Sequence, residues 1–215
     1  MIKVNNISYK YKKRNTYSIK NISCEFVPGK LYCITGPSGG GKTTLLSMIA
    51  GLDNPCEGEI LINGVSLKEI DKDYHRRNNI SVVFQAYNLF PLLSAVENVE
   101  YPMIVNGQER HREKSERLLE LVGIAKEQHN KYPKELSGGQ QQRVAIARAL
   151  ASNAKIIRAD EPTGNLDKEN AEIVMNILKD LCVHQKYCVI MVTHDTELTK
   201  YADIVIKIES GKLVG

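Results

Sequence analysis

Hydrophobic and polar positions alternate loosely, with many β-branched residues, over MIKVNNISYKY (1–11) and YSIKNISCEFV (17–27), which predicts two strands. KLYCITG (30–36) is a short apolar strand that runs into glycines, and KTTLLSMIAGL (42–52) behind it reads as a helix closed by Gly51. GEILINGVSL (58–67) reads as a strand and turn, and ISVVFQ (80–85) as a buried strand. From 91 to 135 the apolar positions suit helices and charges are dense, most of all in 107–131; this is a helical insertion. A helix follows from 136 to about 150, then a strand KIIRAD (155–160). In the next helix Val174, Ile177, Leu178 and Leu181 form an i, i+3, i+4, i+7 stripe. A strand YCVIMVTHD (187–195), a short helix and a terminal hairpin IVIKIESGKLVG (204–215) complete the chain. Strands alternating with helices predict an α/β fold with a largely parallel sheet covered on both faces.

Composition narrows the picture only a little. The 215 residues suit one α/β domain, 42% are hydrophobic and 25% charged, and the formal charge is +4. That mild basicity fits anionic small ligands, membrane surfaces and nucleic acid equally, so it selects none of them. Five scattered cysteines with no CxxC pair are expected to be free thiols in a reducing compartment. The N-terminal stretch lacks a signal-peptide core, and the longest apolar run, near 188–192, is far too short to cross a bilayer, so a soluble protein is expected.

The chemistry begins at residues 36–43. Gly36-Pro37-Ser38-Gly39-Gly40-Gly41-Lys42-Thr43 fits GxxxxGK[ST] between a predicted strand and a predicted helix, the context this motif requires. Backbone N–H groups can curl around an anion there, and the helix start adds roughly half a positive charge. Lys42 is suited to β- and γ-phosphates, Thr43 to Mg²⁺, and Thr44 continues the loop. Downstream, the strand ending in Asp160 supplies a carboxylate for the metal, and Glu161 can orient or deprotonate an attacking water. Arg158 shares a strand face with Asp160 among apolar residues, so it is expected to find a carboxylate partner or a sheet edge. A second phosphate-reading turn, LSGGQ (136–140), stands at a helix start: Ser137 offers a hydroxyl, and Gly138 and Gly139 bare N–H groups ahead of Gln140.

Together these motifs resemble the ATP-binding subunit of an ABC transporter over nearly the whole chain, LSGGQ being the most specific element. The resemblance implies a P-loop NTPase core with a mostly parallel sheet, an antiparallel β subdomain and an inserted α-helical subdomain at about 88–150, all in one ATP-binding domain over 1–215. It implies ATP and Mg²⁺ as cofactors, with Thr43, Gln85 and Asp160 on the metal. It also implies a homodimer packed head to tail, in which Ser137 and Gly139 of one chain close over the nucleotide on Lys42 of the other. That would explain two phosphate-reading turns in one chain. Tyr11 falls where a ring stacks on adenine, with Tyr9 as the competing choice. Gln85 matches the glutamine that links the metal site to the insertion. Asp167 matches the loop aspartate at the dimer interface and equally suits helix capping. His194 matches the switch histidine that contacts the γ-phosphate and, with Glu161 and Gln85, completes the catalytic set. Gly40 stands where many members carry serine, which is expected to loosen nucleotide binding.

The longer matches, GPSGxGKTTLL, VVFQ and ADEPTGNLD among them, resemble the branch that serves lipoprotein release, macrolide export, cell division and antimicrobial-peptide resistance. The implied partner is an integral membrane, permease-like subunit with an extracytoplasmic region. The implied location is the cytoplasm, peripheral to the membrane through that partner. Segment 87–103 is expected to receive a short helix of the partner, with Phe90, Leu92 and Leu93 in apolar contact. The alternative is a non-transport ABC ATPase acting on nucleic acid or ribosomes. Members of that kind usually carry long coiled coils or a second ATP domain, neither of which is seen here, and the basic run 10–14 reads as a solvated hairpin, so no nucleic acid is expected.

Overall fold

The computed structural model describes residues 1–11, 16–107, 111–152 and 154–214. Most of the basic run at 10–14, and the 108–110 part of the expected insertion helices, therefore lie outside the described residues.

Two sheets share one interior. Strands β1 (Ile2–Tyr9), β2 (Ile19–Phe26), β4 (Glu57–Ile62) and β5 (Val65–Ser66) form an antiparallel sheet in the order β2-β1-β4-β5. The second sheet runs β10-β9-β3-β8-β7-β6, from β3 (Leu31–Thr35), β6 (Ile80–Phe84), β7 (Ile156–Asp160), β8 (Cys188–Val192), β9 (Ile204–Glu209) and β10 (Lys212–Val214). All its pairings are parallel except the terminal β9–β10 hairpin. Every residue of β8 and four of the five in β3 are buried, as strands covered on both faces require.

Helix α1 (Lys42–Ile49) lies between the sheets: its Leu45, Leu46, Met48 and Ile49 share a core with Ile2, Ile7, Phe26, Ile34 and Ile190. The other face of the parallel sheet is covered by α5 (Gly138–Ala151) and α6 (Lys168–Gln185). There Val174, Leu178 and Leu181 are buried and Ile177 half-buried, which is the stripe read from the sequence. The insertion is built from α3 (Ala95–Val105) and α4 (Arg112–Leu121), packed on each other and on α5. The expected short helix near the C-terminus is a 3₁₀ turn at Thr196–Tyr201. One helix went unread in the sequence, α2 (Lys72–Asn78): Asp71 caps it by accepting from the Tyr74 N–H at 2.6 Å, but it buries only His75, so it carries no apolar stripe to find.

The insertion is held by one side chain that the apolar pattern does not reveal. Asn98 is fully buried; its Oδ1 accepts from the Phe90 N–H at 2.8 Å, and its Nδ2 donates to the carbonyls of Phe90, Leu93 and Ser94 at 3.2, 2.9 and 3.0 Å. Ser94 and Glu97 close a capping box on the same turn. Asn98→Ala removes the partner of the Phe90 N–H and of the Leu93 carbonyl, while the Phe90 and Ser94 carbonyls keep the Leu93 and Asn98 N–H groups, and is expected to destabilise the fold by about 2–3 kcal/mol. Urea unfolding measures this; a midpoint equal to that of the parent would contradict the role given to Asn98.

Candidate nucleotide site

Parallel register aligns the ends of four strands. Ile34, Val192, Asp160 and Phe84 lie in one row across β3, β8, β7 and β6. Directly beyond this row stand the glycine loop, His194, Glu161 and Gln85, residues far apart in the sequence. In a parallel sheet such a row opens at the carboxyl edge, where loops are free to hold a ligand.

The glycine loop has the conformation its motif predicts. Gly36 has φ 137° and Gly41, which caps α1, has φ 109°, both in the region that favours glycine. A β-carbon at Gly36 would fall 2.0 Å from the Ile208 carbonyl oxygen, so β9 packs directly on the loop. Gly40 donates its N–H to the Pro37 carbonyl at 3.1 Å, and its own carbonyl accepts from the Gly211 N–H at 3.0 Å. Both of its backbone groups are thus fixed, whatever the missing hydroxyl does. Lys42 Nζ donates to the carbonyls of Gly36 and Pro37 at 2.8 and 2.9 Å, which places an ammonium inside the curl of the loop with a third donor to give. Thr43 at the first turn of α1 is exposed.

A cleft of about 390 Å³ is lined by Gly39, Gly41, Lys42, Thr43, Thr44, Ser18 and Tyr11. Tyr11 and Tyr9 separate here. The Tyr11 ring lines the cleft, with its hydroxyl 3.2 Å from Thr44 Oγ1. The Tyr9 hydroxyl instead donates to Asp53 at 3.0 Å, and its ring meets Tyr11 edge-on at 5.1 Å. Ser18 is a lining residue that no motif pointed to.

The two carboxylates are sorted by backbone geometry. Glu161 has φ 47°, left-handed for a residue with a β-carbon, at a cost of roughly 1–2 kcal/mol. Two hydrogen bonds hold it there: its N–H donates to the Val192 carbonyl at 3.0 Å, and its carbonyl accepts from the Gly164 N–H at 3.1 Å. The Glu161 carboxylate consequently meets His194, Oε1 to Nδ1 3.1 Å, while Asp160 stays on the strand face and pairs with Arg158 at 3.0 Å. Arg158 thus takes a carboxylate partner in a central strand, the first of the two outcomes expected for it.

Gln85 is tied to the loop after Glu161: its Nε2 donates to Asn165 Oδ1 at 3.2 Å, and Asn165 Nδ2 returns a bond to the Gln85 carbonyl at 3.1 Å. Its amide oxygen accepts no hydrogen bond among the described residues. Asp160, Thr43 and Gln85 then supply hard oxygen donors, a set that suits Mg²⁺. Among the described residues no group of three or more His, Cys, Asp or Glu side chains forms a metal cage. A cation here must complete its shell with phosphate and water oxygens, as Mg²⁺ commonly does.

The second phosphate-reading turn bonds within itself. Ser137 Oγ accepts from the Gln140 N–H at 3.3 Å, and Gln140 Oε1 accepts from the Ser137 N–H at 2.9 Å, a capping box at the start of α5. Ser137 is exposed and Gly139 is pressed on Asn170, whose side chain would meet a β-carbon there at 2.0 Å. Gly138 meets the Tyr87 hydroxyl in the same way at 2.8 Å. Asp167 caps α6 by accepting from the Asn170 N–H at 2.8 Å, and this bond with those from the Asn170 amide holds its carboxyl below the usual carboxylate range. Two tethers unread in the sequence join α5 to the site: Gln142 Nε2 donates to the Pro162 carbonyl at 2.6 Å, and the Arg148 guanidinium donates to the Tyr87 and Asn88 carbonyls. Tyr87 and Asn88 are both left-handed, at φ 59° and 49°, the local sign of this clasp.

A family profile described as ABC transporter matches residues 19–164, most of the chain. The chain belongs to the ABC transporter family. Within it, the ABC transporter ATP-binding protein MJ1508 of Methanocaldococcus jannaschii is 46% identical over 221 residues, covering 100% of this chain and 98% of the relative. The macrolide export ATP-binding/permease protein MacB of Marinobacter nauticus is 43% identical over 202 residues, 91% of this chain but 31% of that longer protein. Among solved structures, a dimeric post-hydrolysis state of the cassette MJ0796 of M. jannaschii, bound to ADP and Pi, has TM-score 0.87 and 38% identity, covering 100% of this chain and 97% of that one. The α/β architecture, a mostly parallel sheet with an inserted helical unit, is the one expected from the residues, and the antiparallel sheet is the one that the resemblance implied.

Beside the site, a groove of about 390 Å³ has apolar walls in Phe84, Phe90, Tyr101, Pro102 and Val105 and a basic side in Arg76, Arg77 and Arg148. The Phe90 and Tyr101 rings lie 4.4 Å apart, with the Arg148 guanidinium 5.9 Å over Phe90. Leu92 and Leu93, expected beside Phe90, do not line it, and Leu92 is 86% exposed.

Gly36→Ala drives a methyl group into the Ile208 carbonyl from a backbone angle that alanine resists. The variant is expected to lose nucleotide affinity by about tenfold or more and to melt earlier. Titration with a fluorescent ATP analogue checks this; parent-like affinity would contradict the packing described for the loop.

Proposed function

We propose that the chain, an ATPase of the ABC transporter family, binds ATP on Gly36–Thr44 and closes head to tail on a second copy, driving a conformational change in a membrane-embedded partner. Lys42 and the loop N–H groups neutralise the phosphates, and Tyr11 lies against the base. Thr43, Asp160 and Gln85 are the residues that hold Mg²⁺, which when bound polarises the phosphoryl oxygens. Glu161 accepts the proton of the attacking water, and His194 orients both Glu161 and the terminal phosphate. The observation that carries this reading is the left-handed turn at Glu161, which sends neighbouring carboxylates to different partners, Arg158 and His194.

Closure follows from the exposure of Ser137. Its turn is a helix start with the Ser137 side chain exposed, and the nucleotide loop of the same chain lies between β3 and α1, far along the sequence. A second copy brings the two together by an isologous two-fold contact with two nucleotides, Ser137 of the partner subunit covering the phosphates on Lys42. The dimeric, ADP- and Pi-bound relative supports this arrangement. ATP favours the closed state because only there does it touch both surfaces. Asp167, beside the signature turn, lies at that contact.

The partner we infer is an integral membrane subunit with an extracytoplasmic region, which keeps this chain in the cytoplasm on the inner face of the membrane. Support comes from the MacB relative, named as a permease as well as an ATP-binding protein, and from the absence among the described residues of any helix long and apolar enough to span a membrane. The Phe90–Tyr101 groove suits a short apolar helix. Arg148 underlies Phe90 and clasps Tyr87 and Asn88 next to Gln85, so pressure on the groove reaches the metal-side glutamine.

Glu161→Gln should bind ATP without hydrolysing it and accumulate as a dimer on size-exclusion with ATP and Mg²⁺, whereas Lys42→Ala should stay monomeric. Monomer in every condition would count against closure. Phe90→Asp should keep the parent melting temperature yet no longer co-purify with the membrane subunit identified by mass spectrometry; undiminished co-purification would remove the groove from the account.

A further inference from the structure

Arg158 occupies a place where a charge is hard to keep. It is 6% exposed in β7, between Val82 of β6 and Ile190 of β8, with apolar strands on both sides. Its Nη2 donates to Asp160 Oδ2 at 3.0 Å, while its Nε is buried with no hydrogen-bond partner. A buried guanidinium with an unbonded nitrogen depends on its carboxylate, because loss of that partner leaves an uncompensated charge. Asp160 is more open, its side chain 28% exposed against 7% for Arg158. One carboxylate oxygen is thus held by the buried guanidinium, while the side chain keeps a share of its surface open to solvent.

We propose that Arg158 is a built-in counter-ion that competes with the divalent cation for Asp160 and so raises the Mg²⁺ concentration at which the nucleotide site loads. This rests on the assignment of Asp160 to the cation. The physical argument is charge. An Asp160 carboxylate already paired with a guanidinium attracts a divalent ion less than a lone one does, and the low-dielectric strand interior screens that effect little. A cation that draws Asp160 outward also weakens the one bond that compensates buried Arg158. Arg158 touches neither nucleotide nor cation; it is a positioning residue acting through Asp160.

The test reads metal loading rather than turnover. A fluorescent ATP analogue at fixed concentration is titrated with Mg²⁺ from a chelator baseline, and bound Mn²⁺ is followed by electron paramagnetic resonance. Arg158→Met and Arg158→Gln remove the charge and are expected to lower the Mg²⁺ midpoint by about threefold to tenfold, the effect of a weakened competitor. Arg158→Lys keeps a charge and should stay near the parent. An unchanged or raised midpoint in the neutral variants overturns the proposal, the raised case meaning that Arg158 serves only to orient Asp160. Failure of both neutral variants to fold also overturns it, since Arg158 would then be a packing residue. Asp160→Asn separates the two levels. If it leaves the midpoint unchanged, the metal assignment itself fails. If it raises the midpoint while the Arg158 variants do nothing, only the counter-ion role fails.

Discussion

The site exists because parallel strands must end in register. Ile34, Val192, Asp160 and Phe84 form one row by backbone hydrogen bonding, and side chains beyond that row have no choice but to gather at one edge. Glu161 uses the Val192 carbonyl in that row to hold its left-handed turn, so sheet register also sets the direction of its carboxylate. A one-residue slip of β7 would turn Asp160 to the opposite face of the sheet. The apolar filling on both sides, around Val189 and Met191 on one face and Ile34 and Ile190 on the other, is what forbids that slip.

The same constraint explains how much was legible in the sequence. The loop at 36–43 and the acids at 160–161 were readable because each sits at a predicted strand end, and strand ends in a parallel sheet converge. LSGGQ was readable from local chemistry alone, a serine and glycines at a helix start. What stayed hidden depends on contacts between distant segments. Asn98 looks like an ordinary polar residue in a helix, and its four bonds to the segment before α3 become visible only once that segment folds back. Gln142 and Arg148 lie on a helix whose sequence gives no sign that its polar side chains reach backbone carbonyls near the site. That the Tyr9 hydroxyl is taken by Asp53, far along the chain, while Tyr11 lines the cleft was equally hidden. That Phe90 lines the groove while Leu92 stands in solvent was not legible either, because apolar character alone does not tell which side of a loop faces a groove.

Arg158 marks the opposite relation. The sequence showed a charge in the wrong place and named its two remedies, and the structure selected the carboxylate partner, Asp160. Buried ion pairs are weak sources of stability but persist where their geometry matters. This one joins a buried strand residue to the carboxylate that we propose for the cation.

The chain's two phosphate-reading turns make sense together only across a pair of subunits. Ser137 is exposed and the cleft at Lys42 opens to solvent, so in the proposed reading each surface is half of a site. The most direct measurement is the structure of the ATP-loaded, catalytically stalled assembly. The account predicts the partner subunit's Ser137 and the partner subunit's Gly139 within hydrogen-bonding distance of the terminal phosphate held by Lys42. Terminal phosphates enclosed by a single chain, with both signature turns in open solvent, would contradict it.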